Sequence, residues 1–329
     1  MAQHIDFSGK RVVIAGDLVA DQFLSGTISR VSREAPVFIL RHDQTETRPG
    51  AAANTAANVA SLGGTAVLIG VIGDDANGAL LRGSLGLAVD TNGVLAVADV
   101  QTTTKVRVLA AQHYAARQQV IRIDYENSRT LDDDLRGKLL ANLTEAASGA
   151  DAIVLSDYGY GVIDANLFAS ARDISQEKRI PLIVDSRSRL TEFAGATSAT
   201  PNKEEVEHIL GKGANEKDCE GLRERLGLEA LLVTRGNQGM LLVEAGRPAV
   251  SIDAVGSSEP VDVTGAGDTV IAAYALGLAA GLGFADAARI ANHAGGIVVM
   301  KKGTATVTAD ELGRSIADNA QTPQAAPAN

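Results

Sequence analysis

The stretch PVDVTGAGDTVIAAYALGLAAG, residues 260–281, sets a Gly-Ala-Gly-Asp turn directly before an Ala/Leu-rich helical run, with Asp262 six residues ahead of Asp268. At such a helix start the unpaired N–H groups of Ala266, Gly267 and Asp268, reinforced by the helix dipole, form a cradle for phosphate oxygens. Gly265 and Gly267 let a ligand come close to the backbone. A carboxylate in that place repels phosphate unless it has a task. In phosphoryl transfer the attacking hydroxyl loses its proton late in a loose transition state, and a carboxylate beside the γ-phosphate can accept it despite a low resting pKa. Asp268 is then a candidate general base, and the amides stabilise the group in transit. An acid is also favoured in the first turn of any helix, so the motif alone leaves a purely structural Asp268 open.

A second constellation stands near the N-terminus. ETRPGAAANTAANVASLGG, residues 46–64, runs from Pro-Gly into a helix mouth of small residues, with Asn54 and Asn58 on one helical face at i, i+4. Small side chains leave room, and amides supply the directional hydrogen bonds a polyol requires. Just upstream, IAGDLVADQF ends a strand with Asp17 and Asp21, both candidate acceptors for sugar hydroxyls at the carboxyl edge of an open sheet. Taken singly, such Asn and Asp residues are also ordinary caps and turn formers.

Other chemistries are excluded by inspection. Gly-Lys occurs at 9–10, 137–138 and 211–212 and is never followed by Ser or Thr, so there is no P-loop. The five His residues form no H-E-x-x-H, and G-x-S-x-G is absent. GAGDTV fails the dinucleotide-binding pattern because Val270 stands where the third Gly belongs.

The elements that must carry these residues alternate. RVVIAG, AVLIGVIG, DAIVLSD, PLIVDS, ALLVTRG and GMLLVEAG read as strands. Segments 51–62, 131–147, 164–178, 203–210, 216–226, 266–280, 285–300 and 309–318 read as helices. The pattern predicts an α/β fold with a mostly parallel sheet flanked by helices. Two regions, 18–48 and 100–125, break the rhythm with extended, polar-alternating runs such as TKVRVLAA and QQVIRIDYE, and are expected to form hairpins standing off the main sheet. The tail from 321 to 329 lacks apolar content and is expected to be disordered, which leaves residues 1–320 as one domain.

At 329 residues the chain is long enough for a large single core. A net charge of −10, with no basic run, argues against nucleic acid or an anionic membrane as partner. The single Cys219 has no His or second Cys at ligand spacing and reads as a structural thiol. With no signal-like apolar segment and no long apolar stretch, the expected location is the cytoplasm.

With these pieces in order, the chain resembles the ribokinase (PfkB-type) family of sugar kinases over nearly its whole length. DVTGAGD at 262–268 is similar to the family's C-terminal signature, PGAAAN at 49–54 to its Gly-rich sugar motif, and TPNKEE at 200–205 to its N-x-x-E element. Within the family the segments GDLVADQF, SRVSREAPV, RPGAAANTAANVASLG, TKVRVL, LSDYGYG, LLVTRGNQGM and VDVTGAGDTV resemble the branch that phosphorylates heptose 7-phosphate at its anomeric hydroxyl.

The resemblance implies a ribokinase-like core with a small β lid, and a homodimer contact through that lid. It implies Asp268 as base, with Gly265, Ala266 and Gly267 as anion hole, and Asp21, Gly50 and Asn54 on sugar hydroxyls. Asn202 and Glu205 would organise Mg²⁺ and its waters near ATP, with Thr234, Gly236 and Asn292 bordering the nucleotide. Asp262 and Thr264 lie where relatives bind a monovalent cation such as K⁺.

Two departures bear on the acceptor. The heptose branch usually has Lys where this chain has Tyr160, and Asp-Pro-Lys-Gly where it has VDSRSR. A phosphosugar kinase must hold a distal dianion, so Arg187 or Arg189 would have to replace those lysines, aided by Lys105 and Arg107 on the lid. A solvated charged face is the alternative for these arginines. No H-x-G-H of the nucleotidyltransferase half of bifunctional relatives occurs here, and the expectation is that a separate protein carries that step. Other acceptors of the ribose, fructose or 2-keto-3-deoxygluconate type stay open, as does a silent binding protein on the same fold.

Overall fold

Val12, Val13, Ile14 and Ala15 are fully buried in strand β1 (Arg11–Gly16), because helices cover both faces of the sheet it centres. The structure is a computed structural model and describes residues 6–112, 117–126, 130–257 and 259–321. β1 pairs in parallel with β4 (Thr65–Gly73) on one side and β8 (Ala152–Asp157) on the other. Outward from β4 lies β5 (Val89–Val97). Outward from β8 follow β9 (Leu182–Ser186), β10 (Ser198–Ala199) and β11 (Ala230–Thr234), all parallel. Antiparallel β12 (Met240–Glu244) and β13 (Val250–Ile252) close that edge.

One face is covered by α1 (Ala52–Ser61), α7 (Ala266–Ala279), α8 (Phe284–Val298) and α9 (Ala309–Gln321). The other carries α3 (Asp133–Ala146), α4 (Ala165–Lys178), α5 (Lys203–Leu210) and α6 (Glu216–Leu226). α7 is buried almost all round, which is why its sequence is Ala-rich instead of amphipathic. A Cβ on Gly277 would stand 2.9 Å from that of Ala287, so only Gly lets α7 and α8 come this close.

The two irregular regions join into one four-stranded sheet. Its order is β3 (Phe38–Ala51), β2 (Leu18–Val31), β6 (Thr104–Ala111), β7 (Gln118–Tyr125). β2 leaves the body immediately after β1, and β3 returns straight into α1. The base of this lid, where Leu18 pairs with Ala51 and Asp21 with Arg48 and Lys105, therefore lies at the carboxyl edge of the main sheet.

The eight expected helices occur within three residues of their expected bounds. A ninth, α2 (Ala76–Ser84), and strands β5, β10 and β13 were not expected. α2 is nine residues long and carries Asn77, Gly78 and Gly83, all poor helix formers. It is held by its Asp75 cap, which accepts from Gly78 N at 2.7 Å. β5 is interrupted by Asn92-Gly93, opposite an irregularity between Val67 and Ile69. The expected disordered tail lies outside the described residues, apart from Gln321, which ends α9. Among the described residues no helix is long and apolar enough to cross a membrane.

Candidate active site

β8, β9, β10 and β11 end side by side, and their carboxyl ends, the base of the lid and the mouth of α7 enclose a cleft of about 320 Å³. α7 opens at Gly265, whose φ of 75° is left-handed. A Cβ there would also stand 2.5 Å from Asn54 Nδ2, so the position requires glycine twice over. Ala266 N donates to Val263 O at 3.2 Å, which takes one amide out of the expected anion hole. The N–H groups of Gly267 and Asp268 have no acceptor among the described residues, and Gly267 has open space where a side chain would stand.

Asp268 is 3% exposed, and both its carboxylate oxygens are held. Asn54 Nδ2 donates to Oδ2 at 2.8 Å, and the Tyr158 hydroxyl donates to Oδ1 at 2.8 Å. Burial pushes the carboxyl up to about 7, against those two hydrogen bonds, which favour the charged form. The i, i+4 spacing of Asn54 and Asn58 has a definite purpose here. Asn58 Nδ2 donates to Asn54 Oδ1 at 3.2 Å, so the NH₂ end of Asn54 is the end that faces Asp268. The expectation of Asn54 on a sugar hydroxyl thus meets an amide engaged on the carboxylate.

The lid supplies the cations. Period-2 alternation turns Asp21, Lys105, Arg107 and Arg122 toward the cleft, which all four line. Arg107 forms an ion pair with Asp21 and lies over the Phe23 ring. Burial pushes the Asp21 carboxyl up in spite of that pair. Gly50 lies beside it, since a Cβ there would stand 2.7 Å from Asp21 Oδ2. Arg122 is bound bidentately by Asp124. Lys105 is buried, with its ammonium 5.7 Å from the centre of the Tyr160 ring, and burial lowers its pKa with Arg187 adding to the effect.

The body contributes Arg187, whose guanidinium lines the cleft without an ion-pair or hydrogen-bond partner among the described residues. Arg189 differs. Its Nη2 donates to Asp157 Oδ1 at 2.6 Å and to Ile163 O at 2.9 Å, so it braces the loop after β8. Asp17 is likewise structural. Its carboxylate accepts from the backbone N–H of Tyr158, Tyr160 and Val162 at 2.8, 3.0 and 3.1 Å, which corrects the reading of Asp17 as a sugar acceptor.

Asn202 and Glu205 form a capping box at α5, with Glu205 Oε2 accepting from Asn202 N at 2.8 Å and Asn202 Oδ1 from Glu205 N at 2.9 Å. Both still line the cleft, together with Thr234, which a short bridge pairs with Asn202. Gly236, with φ 57°, opens the turn after Thr234. Asn292 lies on α8 and donates to Asp253 O at 2.7 Å; neither Gly236 nor Asn292 lines the cleft. Thr264 borders the cleft, while Asp262 faces a neighbouring groove and accepts from Thr264 N at 2.9 Å and Gly303 N at 2.8 Å.

Three ionisable lining residues escaped sequence reasoning: Tyr158, Asp185 and Arg122. Asp185 is the penultimate residue of β9, and its carboxylate has no hydrogen-bond partner among the described residues. Burial raises its pKa well above the carboxylate range, and Glu205, Asp268 and Asp157 reinforce the shift. Its position at a strand's carboxyl end in PLIVDS was the available signal.

Comparison with known proteins follows this geometry. Residues 19–311 match the pfkB family carbohydrate kinase pattern. The bifunctional protein HldE of Hahella chejuensis is 42% identical over 324 residues, covering 94% of this chain and 64% of that protein. The chain thus spans about two thirds of the length of the curated relatives it matches. Two solved structures share the fold. Arabidopsis thaliana ribokinase complexed with ribose and ATP has a TM-score of 0.69 at 20% identity, covering 95% of this chain and 99% of that one. Escherichia coli phosphofructokinase-2 in complex with potassium has a TM-score of 0.76 at 20% identity, with the same coverage of 95% and 99%.

Proposed function

The chain belongs to the pfkB family of carbohydrate kinases, and from that premise we propose that it transfers the γ-phosphoryl group of ATP to the anomeric hydroxyl of a heptose 7-phosphate. The observation that carries this reading is the presence of two anion-binding places in one cleft. Among the described residues, Gly267 and Asp268 offer amides without an acceptor at the mouth of α7, and Lys105 and Arg187 offer cations without an ion-pair partner. The amides suit the phosphoryl group in transit, and the cations suit a phosphate already on the sugar.

In this reading the sugar hydroxyl lies against Asp268. Its oxygen forms a bond to the γ-phosphorus as the bond to the β-phosphate oxygen breaks, and its proton passes to the Asp268 carboxylate. Asp21, held by Arg107 beside Gly50, accepts from a further sugar hydroxyl. Asn202, Thr234, Gly236 and Asn292 border the nucleotide. The unpartnered Asp185 carboxylate and Glu205 fit a Mg²⁺ ion, which keeps several waters and needs few protein ligands; when bound, it neutralises phosphate charge. Asp262 and Thr264 are the proposed surroundings of a monovalent cation.

We further read residues 1–320 as one kinase domain whose lid joins two copies into a homodimer. Of the large apolar side chains exposed among the described residues, Val31, Val37, Phe38, Val120, Ile121, Ile123 and Tyr125 all belong to the lid.

An ADP-release assay over a panel of sugars, with and without the distal phosphate, tests the substrate. Heptose 7-phosphate should turn over with a kcat/KM at least about ten-fold above that of the free heptose. Equal values for the two would overturn the phosphate clamp and move the acceptor to an unphosphorylated sugar.

A further inference from the structure

We infer that Tyr158 is a positioning residue for Asp268, whose hydroxyl holds one carboxylate oxygen and so fixes how the carboxylate presents its free lone pairs to the cleft. This rests on the reading of Asp268 as base. Tyr158 follows the last residue of β8, and its backbone is anchored from two sides. Asp17 accepts from Tyr158 N, Tyr160 N and Val162 N. Arg189 ties Asp157 to Ile163 O. Those anchors leave the phenol little freedom, and its hydroxyl meets Asp268 Oδ1 at 2.8 Å.

A carboxylate gripped on one oxygen can still swing about that contact. Asp268 is gripped on both, by Tyr158 and by Asn54, and Asn54 is itself oriented by Asn58. Each carboxylate oxygen has a second acceptor site, so a sugar hydroxyl can bind Oδ1 without displacing the phenol. Burial beside Asp268 keeps the phenol protonated, so it remains a donor throughout turnover. The other charged groups that bear on Asp268 are Asp21 and Lys105 from the lid and Asp185 from β9. None of them donates to it.

Two measurements test this. In protein labelled with [4-¹³C]aspartate, the Asp268 resonance is assigned by its loss in Asp268→Asn. Tyr158→Phe removes a donor that favours the charged form, so the midpoint of that resonance should move up by about one pH unit. Turnover of D-glycero-β-D-manno-heptose 7-phosphate with Mg-ATP should fall by about ten-fold, with KM for ATP unchanged. If Tyr158→Phe does not fold, 3-fluorotyrosine at 158, a stronger donor, should move the midpoint down instead. A midpoint that stays put in whichever variant folds overturns the inference. Should Asp268→Asn retain full turnover, the base reading fails and this inference with it. An inactive Asp268→Asn beside an unshifted Tyr158 variant sinks the inference alone.

Discussion

Asn54 and Asp268 stand 214 residues apart in the chain and meet at 2.8 Å, amide on carboxylate, at the mouth of α7. Asn54 sits three residues past the end of β3, where the lid re-enters the body, so this contact ties the lid's return point to the phosphate cradle. The geometry of the base therefore depends on where the lid is rooted, and several consequences can be measured.

Asp268→Asn keeps the size of the side chain and abolishes proton acceptance. Turnover should fall by roughly 10²–10⁴ while ATP binding, followed by calorimetry, is retained. Near-normal turnover would remove Asp268 from the chemistry.

The pH dependence follows from the same carboxyl. A base works only when deprotonated, so with Asp268 near 7 in the free enzyme, kcat/KM should rise with pH through about 7 and drop on the acid side. Stability has the opposite sign. The folded pKa lies above the ordinary 3.8, so the folded state binds the extra proton, and this group's contribution to stability declines as pH rises from about 4 to 7. At pH 8 Asp268→Asn should therefore melt at a higher temperature than the unmodified protein. An acid limb near 4 with no gain in Tm would contradict both.

Arg187 and Arg189 should separate cleanly. Arg187→Ala should raise KM for heptose 7-phosphate about ten-fold or more, and Lys105→Ala less, with KM for ATP little changed. Arg189→Ala should leave that KM alone and lower stability by about 2–4 kcal/mol, because it strands the buried Asp157. The two KM values and two denaturant curves decide it; equal effects on KM would refute the division.

Gly265→Ala forces a side chain into a left-handed backbone position and into the space of Asn54 Nδ2. The strain is about 1–2 kcal/mol, and displacement of Asn54 loosens the base. Turnover should fall by more than ten-fold, a larger change than the modest drop in Tm would account for. Unchanged turnover would show that the Asn54 contact is dispensable.

The lid dimer is tested by charge. Ile121, 55% exposed, and Ile123 lie on edge strand β7, and the double change to Glu should convert a dimer to monomers in sedimentation. A chain that sediments as a monomer before mutation would end the proposal.

Residue type and order were enough to reveal the alternation of β-branched runs with Ala-rich helices, the two regions standing off the main sheet, and the Gly-Ala-Gly-Asp turn with its acid. Such signals are local: period, cap and turn chemistry act within a few residues, so they survive without knowledge of the fold. α2 and β5 were hidden for the same reason, since Gly78, Gly83 and Asn92-Gly93 weaken a local pattern that tertiary packing then overrides.

Which of several equivalent residues reaches the cleft was a different matter. Asp17 and Asp21 sit four apart in the same segment, yet the first is turned onto the amides of the loop after β8 and the second lies under Arg107. Arg187 and Arg189 differ by two positions, yet Asp157, Ile163 O and Glu192 hold the second away from the cleft. Tyr158 and Asn54 join Asp268 from 110 and 214 residues away. Contacts of that span are set by strand order and by which carboxyl ends lie side by side, and a hydrogen bond has no trace in the sequence of either partner until the fold brings the two within 3 Å.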